Sequence, residues 1–301
     1  MVRLAPRRHG DATMSKILVT GATGALGRKT LVELLKQRPA SDLVALAREP
    51  AKASDLAALG IEIRRGDYLD RASLAQALRG IDKVMLTSAQ AFTDRNSAHA
   101  NVIDLAVEAG VRHVVFMPVI RKRGSAFALE QVTAEDIFAV DRLEASGLRW
   151  TLARHPPFLD GLSAFIGTHV LERGVRVPAG DGRIAAATRD DLAAAHATIL
   201  AGEGHENRTY DLTGDPAVSF ADIAAILSDV HGRHVPYVPI SEAAYFEQLK
   251  QDVGFPDHVV AFQCAWVQGM VAGEWQDQTT DLADLIGRAP TSAAEYLRST
   301  R

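Results

Sequence analysis

The chain has 301 residues, with 33 basic against 37 acidic side chains and a formal net charge of −4. That balance argues against nucleic acid or an anionic membrane surface as a partner, and no run of about 18 apolar residues offers a spanning helix. The single cysteine, Cys264, excludes an internal disulfide and a cysteine-rich metal site, and fits a reducing cytoplasm.

Residues 1–15 are basic and no apolar stretch follows them, so a disordered tail is expected, with Met14 as an alternative start. The run KILVT from Lys16 is short, apolar and bounded by glycine, which predicts a buried strand. ALGRKTLVELLKQ then spaces apolar residues at three and four, which predicts a helix. The rhythm repeats with LVALA at Leu43, a short helix over Ala51 to Leu59, IEIRR at Ile61 and a helix over Arg71 to Leu78. It continues with KVMLTS at Lys83, a helix over Asp94 to Ala109, HVVFM at His113, and RWTLAR at Arg149 after a helix stopped by Gly147. Strands alternating with helices of this length predict an α/β fold: a doubly wound parallel sheet of the Rossmann type. Beyond the sixth strand the rhythm loosens. A strand, turn and helix are expected over GVRVPAGDGRIAAATRDDLAAAHATIL, with Thr188 as N-cap and Asp190 and Asp191 in the first turn. RTYDLTGD reads as a strand, SFADIAAILSDVHG as a helix capped by Ser219, and HVPYVPI as an edge strand broken by Pro236 and Pro239. The expected layout is a nucleotide-binding domain over 16–155 and a smaller mixed α/β lobe over 156–301, with the chain crossing back to the sheet.

TGATGALG sets three glycines at intervals of three between the first strand and the first helix. A helix N-terminus presents unpaired N–H groups and partial positive charge to a pyrophosphate, and glycine lets the backbone turn tightly and come close. Gly21, Thr23, Gly24, Ala25, Leu26 and Gly27 are therefore the expected cradle. After the second strand Arg48 comes first and Lys52 lies just beyond Glu49, so NADP is expected; if Arg48 is merely a solvated charge and Glu49 takes the ribose, NAD follows. After the third strand Asp67 would accept from an adenine amino group and Tyr68 would pack on the ring, unless Asp67 is simply the N-cap of the next helix. Thr87, Ser88 and Ala89 fall at the carboxyl end of the fourth strand, where such folds place ligands.

On these residues the chain resembles the NmrA-like, atypical short-chain dehydrogenases and reductases, above all members that reduce quinones and triphenylmethane dyes. The resemblance runs from Lys16 to Gly287 and is most specific in TGATGALG, ALAREPAKA, RRGDYLDRASLAQALRGIDKVMLTS, HANVIDLAVEAGV and GDGRIAAATRDDLAAA. It implies bound NADPH, a hydride acceptor held against the nicotinamide by the smaller lobe, and a monomer or homodimer. Three departures stand out: Phe116, Met117 and Pro118 replace a small polar run, Asp141 stands near where a lysine is usual, and RHPPF follows the sixth strand in place of RNGWY.

A simple ketone needs a proton donor beside the hydride acceptor, typically a tyrosine paired with a lysine four residues on. None of Tyr68, Tyr210, Tyr237, Tyr245 and Tyr296 has that lysine. A quinone or conjugated dye asks less, because positioning and exclusion of water suffice. His155, before Pro156 and Pro157, is the expected catalytic handle, titrating near neutral pH beside a developing hydroquinone oxygen. Phe116, Met117 and Phe158 are the expected apolar wall for the acceptor. Arg121, Lys122 and Arg123 read as a solvated loop or as a clamp for an anionic substrate, and His231 and His234 as structural, with no metal expected. The function expected is an NADPH-dependent oxidoreductase acting on a quinone or similar small-molecule acceptor; the alternative is a non-catalytic NADP-binding redox sensor.

Overall fold

The computed structural model describes residues 15–300; of the tail expected over 1–15 only Ser15 falls within them, and Met14 lies outside. Alternation of strand and helix builds β1 (Ile17–Val19), α1 (Ala25–Leu34), β2 (Leu43–Ala47), α2 (Ser54–Ala58), β3 (Glu62–Arg65), α3 (Arg71–Ala77), β4 (Lys83–Leu86), α4 (Arg95–Glu108), β5 (His113–Phe116), α5 (Thr133–Ala145) and β6 (Arg149–Arg154). There follow α6 (Ser163–Ile166), α7 (Val170–Arg173), β7 (Arg183–Ile184), α8 (Arg189–Ala201), β8 (Arg208–Asp211), β9 (Val218–Ser219) and α9 (Phe220–His231). The chain ends in α10 (Glu242–Val253), α11 (Asp257–Val271), α12 (Asp281–Ile286) and α13 (Ala293–Ser299). Among the described residues no helix is long and apolar enough to cross a membrane.

Seven strands form one parallel sheet in the order β3-β2-β1-β4-β5-β6-β8. The order reverses between β1 and β4, and in open sheets of this kind the crevice beyond the carboxyl ends at that reversal receives ligands. Side chains alternate across the sheet. Val19, Ala45, Met85 and Val115 pack on one face with Leu31 and Leu34 of α1 and Leu192 and Ile199 of α8. Leu18, Val44, Val84, Leu86, Val114 and Phe116 pack on the other, with Leu74, Val102 and Leu143 of α3, α4 and α5. Both faces are covered, which is why the strands read as continuous apolar runs.

Beyond β6 the chain forms a third core around Phe165, Val177, Phe220, Tyr245 and Trp275, but it also returns to the sheet, α8 covering α1 and β8 pairing with β6. Thr188 caps α8 by accepting the Asp191 N–H at 3.2 Å, and Ser219 forms a capping box with Asp222. Asp191 does more than fill a first turn: fully buried, it accepts from Arg288 and from the Thr291 N–H at 2.7 Å, anchoring the C-terminal segment. The expected edge strand over HVPYVPI is absent. The prolines remove its donors, and what remains is one bridge between Tyr237 and Val175. The strand expected before α8 shrinks to β7, which pairs antiparallel with β9.

Candidate functional site

The turn after β1 is drawn against β4. Thr20 Oγ1 donates to the Met85 carbonyl and accepts the Thr87 N–H, each at 2.9 Å, and Thr87 Oγ1 donates back to the Thr20 carbonyl at 2.8 Å. Gly21 has φ +61°, and a Cβ there would stand 3.0 Å from the Thr87 side chain, so both conformation and space require glycine. Gly24 N–H donates to the Gly21 carbonyl at 2.9 Å and closes the turn. At Gly27 a Cβ would come within 2.5 Å of the Gly21 oxygen, so this glycine lets α1 begin directly against the turn.

Gly24 is the N-cap of α1, with no side-chain cap and no acidic residue in the first turn. By contrast Asp70, Asp94, Thr188, Ser219, Ser241 and Ser292 cap α3, α4, α8, α9, α10 and α13. Among the described residues the amides of Ala25, Leu26 and Gly27 are thus left without a protein acceptor, beside exposed Thr23 and Gly24. Open amides at the positive end of a ten-residue helix, fronted by glycine, fit a pyrophosphate.

At the end of β2 Arg48 is exposed, with no ion pair among the described residues. Lys52, expected with Arg48 at the cofactor, pairs on the surface with Glu49 at 2.8 Å, and its hydrogen bond and charge hold the Glu49 carboxyl below its ordinary range. Asp67 accepts the Leu69 N–H at 2.9 Å in the loop after β3, while the N-cap of α3 is Asp70. Tyr68 braces the turn: its hydroxyl lies between Thr20 Oγ1 and the Thr87 carbonyl, 2.9 Å from the latter, and burial pushes the phenol well above its ordinary value. Ser88 Oγ donates to the Met117 carbonyl at 3.0 Å. The Ala89 N–H donates to His99 Nε2 at 3.0 Å, and its carbonyl accepts from Arg95.

A cavity of about 440 Å³ runs from Gly21, Gly24 and Gly27 past Thr87 and Ser88 to the lobe. Met117, His155 and Phe158 line it, and Phe165 and Trp266 come from the lobe side. Phe116 does not. It is fully buried on the opposite face of the sheet, edge-on to His99 at 5.2 Å, because neighbours along a strand point to opposite faces. Arg121, Lys122 and Arg123 surround a separate hollow of about 430 Å³ with Arg154, Asp211 and Glu274, which shares no lining residue with that cavity.

His155 is 3 % exposed, and its Nε2 lies 2.8 Å from Nε2 of His196, a fully buried residue of α8. Burial, then the neighbouring imidazole, holds His155 far below its ordinary value, and burial lowers His196 to about 3. This corrects the expectation of a histidine titrating near neutrality: the two neutral rings share one proton, and neither is a ready acid. Arg189 lies over the Phe158 ring at 4.2 Å and pairs with Asp160 at 2.9 Å, holding that ring in place.

Sequence reasoning missed the Arg95–Asp136 pair. Both side chains are about 95 % buried and line the cavity, 2.5 Å apart, and Asp136 also accepts the Val119 N–H at 2.9 Å. Burial raises Asp136 to about 6 against the pull of Arg95. The pair ties the loops after β4 and β5 together. Its signal was present: Asp136 stands in register with Ala139 and Leu143, and Arg95 with Ala98 and Val102, so each is a charge on an apolar helix face. His196 likewise stands among apolar positions of α8.

The profile of a family described as NAD(P)H-binding matches residues 21–203. The chain is 39 % identical to quinone oxidoreductase 2 of Escherichia coli (strain K12) over 280 residues, which span 93 % of this chain and 96 % of that one. Its backbone resembles the crystal structure of the NADPH-dependent quinone oxidoreductase of Escherichia coli complexed with NADPH, with a TM-score of 0.87 and 36 % identity over 94 % of this chain and 99 % of that one. It resembles as well the triphenylmethane reductase of Citrobacter sp. complexed with NADP(H), with a TM-score of 0.87 and 30 % identity over 95 % of this chain and 100 % of that one.

Proposed function

The chain belongs to the NmrA-like branch of the NAD(P)H-binding family, and on that premise we propose that it is a cytoplasmic, NADPH-dependent oxidoreductase acting on a quinone or similarly conjugated acceptor. The observation that carries this reading is the cavity of about 440 Å³ that joins an uncapped glycine turn to an apolar wall containing neither a tyrosine nor a lysine. The bound cofactor would supply a hydride to an acceptor laid against its nicotinamide.

The chain's own residues do the rest. Ala25, Leu26 and Gly27 would hold the pyrophosphate with their open amides, and Arg48 a 2′-phosphate, with the Lys52 charge beside Glu49 offsetting the carboxylate that would favour a free ribose hydroxyl. Met117 and Phe158 orient a planar acceptor and exclude water, while the Arg95–Asp136 pair fixes the loops that carry the wall. His155 serves as a neutral polar contact. With both histidines neutral and Asp136 engaged by Arg95 and the Val119 N–H, the site suits acceptors whose reduced form is stabilised by delocalisation, such as quinones and cationic dyes, over simple ketones.

Absorbance at the nicotinamide band, followed with and without a benzoquinone or naphthoquinone, tests the proposal. NADPH should be consumed in the presence of the quinone alone. Tight NADPH binding without turnover on any acceptor of a panel would refute the reductase and favour a cofactor sensor.

A further inference from the structure

The lobe side of the cavity carries a wall made rigid by residues remote from the cofactor turn. Trp266 of α11 lines the cavity, lies tilted at 37° on Trp275 with ring centres 4.8 Å apart, and meets Phe262 edge-on at 6.0 Å. Trp275 is itself pinned: 2 % exposed, it donates its indole N–H to the Ile120 carbonyl at 3.0 Å and meets Phe127 edge-on at 6.0 Å. Gly269 makes that seat possible, because a Cβ there would fall 2.5 Å from the Trp275 ring and 2.9 Å from Phe127. At the other end Phe92 stacks edge-on against Phe262 at 5.4 Å and His258 at 4.8 Å. Phe92 holds φ +64°, a conformation costly for a bulky residue, and lies in the loop after β4. The aromatic row is therefore tethered to the loop after β5 through Ile120 and to the loop after β4 through Phe92.

We propose that Trp266 is the specificity-determining wall of the acceptor site, a preorganised π-face that favours fused two-ring quinones over single-ring ones; this rests on the quinone-reductase reading of the site. Met117 and Phe158 belong to the ends of β5 and β6, on the sheet side, where the nicotinamide would lie. A single ring seated there uses that wall alone. A second fused ring extends toward α11 and stacks on the indole, whose position is fixed before binding, so the contact costs little ordering.

The test compares 1,4-naphthoquinone with 1,4-benzoquinone on the wild type, Trp266→Ala and Trp266→Phe, with calorimetric titration of naphthoquinone into the NADP+-loaded proteins alongside. Loss of one stacking contact predicts a rise of about three- to tenfold in the naphthoquinone KM of Trp266→Ala, a change under about twofold for benzoquinone, and recovery of most of the loss in Trp266→Phe. The kcat is expected to stay level for both. Equal losses on the two quinones, or none, would overturn the assignment. If the wild type turns over neither quinone but binds naphthoquinone through Trp266, the reaction assigned to the site fails and the wall stands; if naphthoquinone does not bind at all, the wall falls too.

Discussion

Gly24 and Gly27 lie three residues apart in one turn, and the structure predicts that replacing them breaks different things. In Gly27→Ala the new Cβ would sit 2.5 Å from the Gly21 oxygen, 2.8 Å from the Gly21 carbonyl carbon and 3.0 Å from the Thr20 oxygen. All three atoms are backbone, so α1 must move away from β1. Overpacking of this kind costs about 1–3 kcal/mol, of which removing a helical glycine offsets about 0.5–1 kcal/mol. With an unfolding entropy of about 2 cal/mol/K per residue, a chain of this size loses roughly 1.5 °C of Tm per kcal/mol, so Gly27→Ala should melt lower by up to about 4 °C. In Gly24→Ala the Cβ meets only the Gly21 oxygen, at 3.2 Å, on an exposed surface with φ −85°. Its Tm should fall by less than about 2 °C, the cost of a poorer N-cap. Yet that methyl stands before the open amides of α1, and NADPH affinity should drop at least about tenfold, equivalent to about 1.4 kcal/mol. Differential scanning calorimetry and titration of NADPH into both variants measure the split. If Gly24→Ala binds NADPH as tightly as the wild type, the amides at the start of α1 do not hold the pyrophosphate.

Three further outcomes are expected. His99 and His196 are held near 3, His113 near 4 and His155 far below its ordinary value, all by burial, so between those values and about 6.5 the unfolded chain binds protons that the folded one does not. Stability therefore falls as pH drops below about 6.5, by up to about 1.4 kcal/mol per pH unit for each histidine, and urea melts of His196→Gln should show a slope shallower by about that amount. Arg48→Ala should weaken NADPH binding about tenfold, the loss of a charge-assisted hydrogen bond, while leaving NADH affinity and Tm unchanged; equal loss for both cofactors would remove Arg48 from the phosphate site. Phe116→Leu should lower stability by about 1–2 kcal/mol and leave acceptor KM unchanged, because the ring packs on the far face of the sheet; a shifted KM would contradict that placement.

The repeating strand–helix rhythm made the sheet legible, since a parallel sheet covered on both faces demands apolar runs punctuated by amphipathic helices. The glycine turn was legible for a similar reason: each of its conformational demands is local. What the sequence hid depends on contacts between distant segments. Phe116 and Met117 are adjacent apolar residues, and only the register of β5 against β4 and β6 says which one faces the cavity. His155 reads as a titrating handle until His196, 41 positions on, closes over it. Trp266 and Trp275 drew no notice in a helical third of the chain, for their importance lies in stacking on each other.

The return of the chain to its own sheet bears on how the protein is made. When residue 155 emerges from the ribosome, six strands are complete, but β6 is still an open edge and the flank of α1 that α8 will cover is bare. Both are covered only by α8 and β8, which end at Asp211. At about 5–20 residues per second the nascent chain spends roughly 3–11 s with an unpaired edge and a bare helix flank. That interval, during which one chain's edge can pair with another's, is when a chaperone would matter most to this protein.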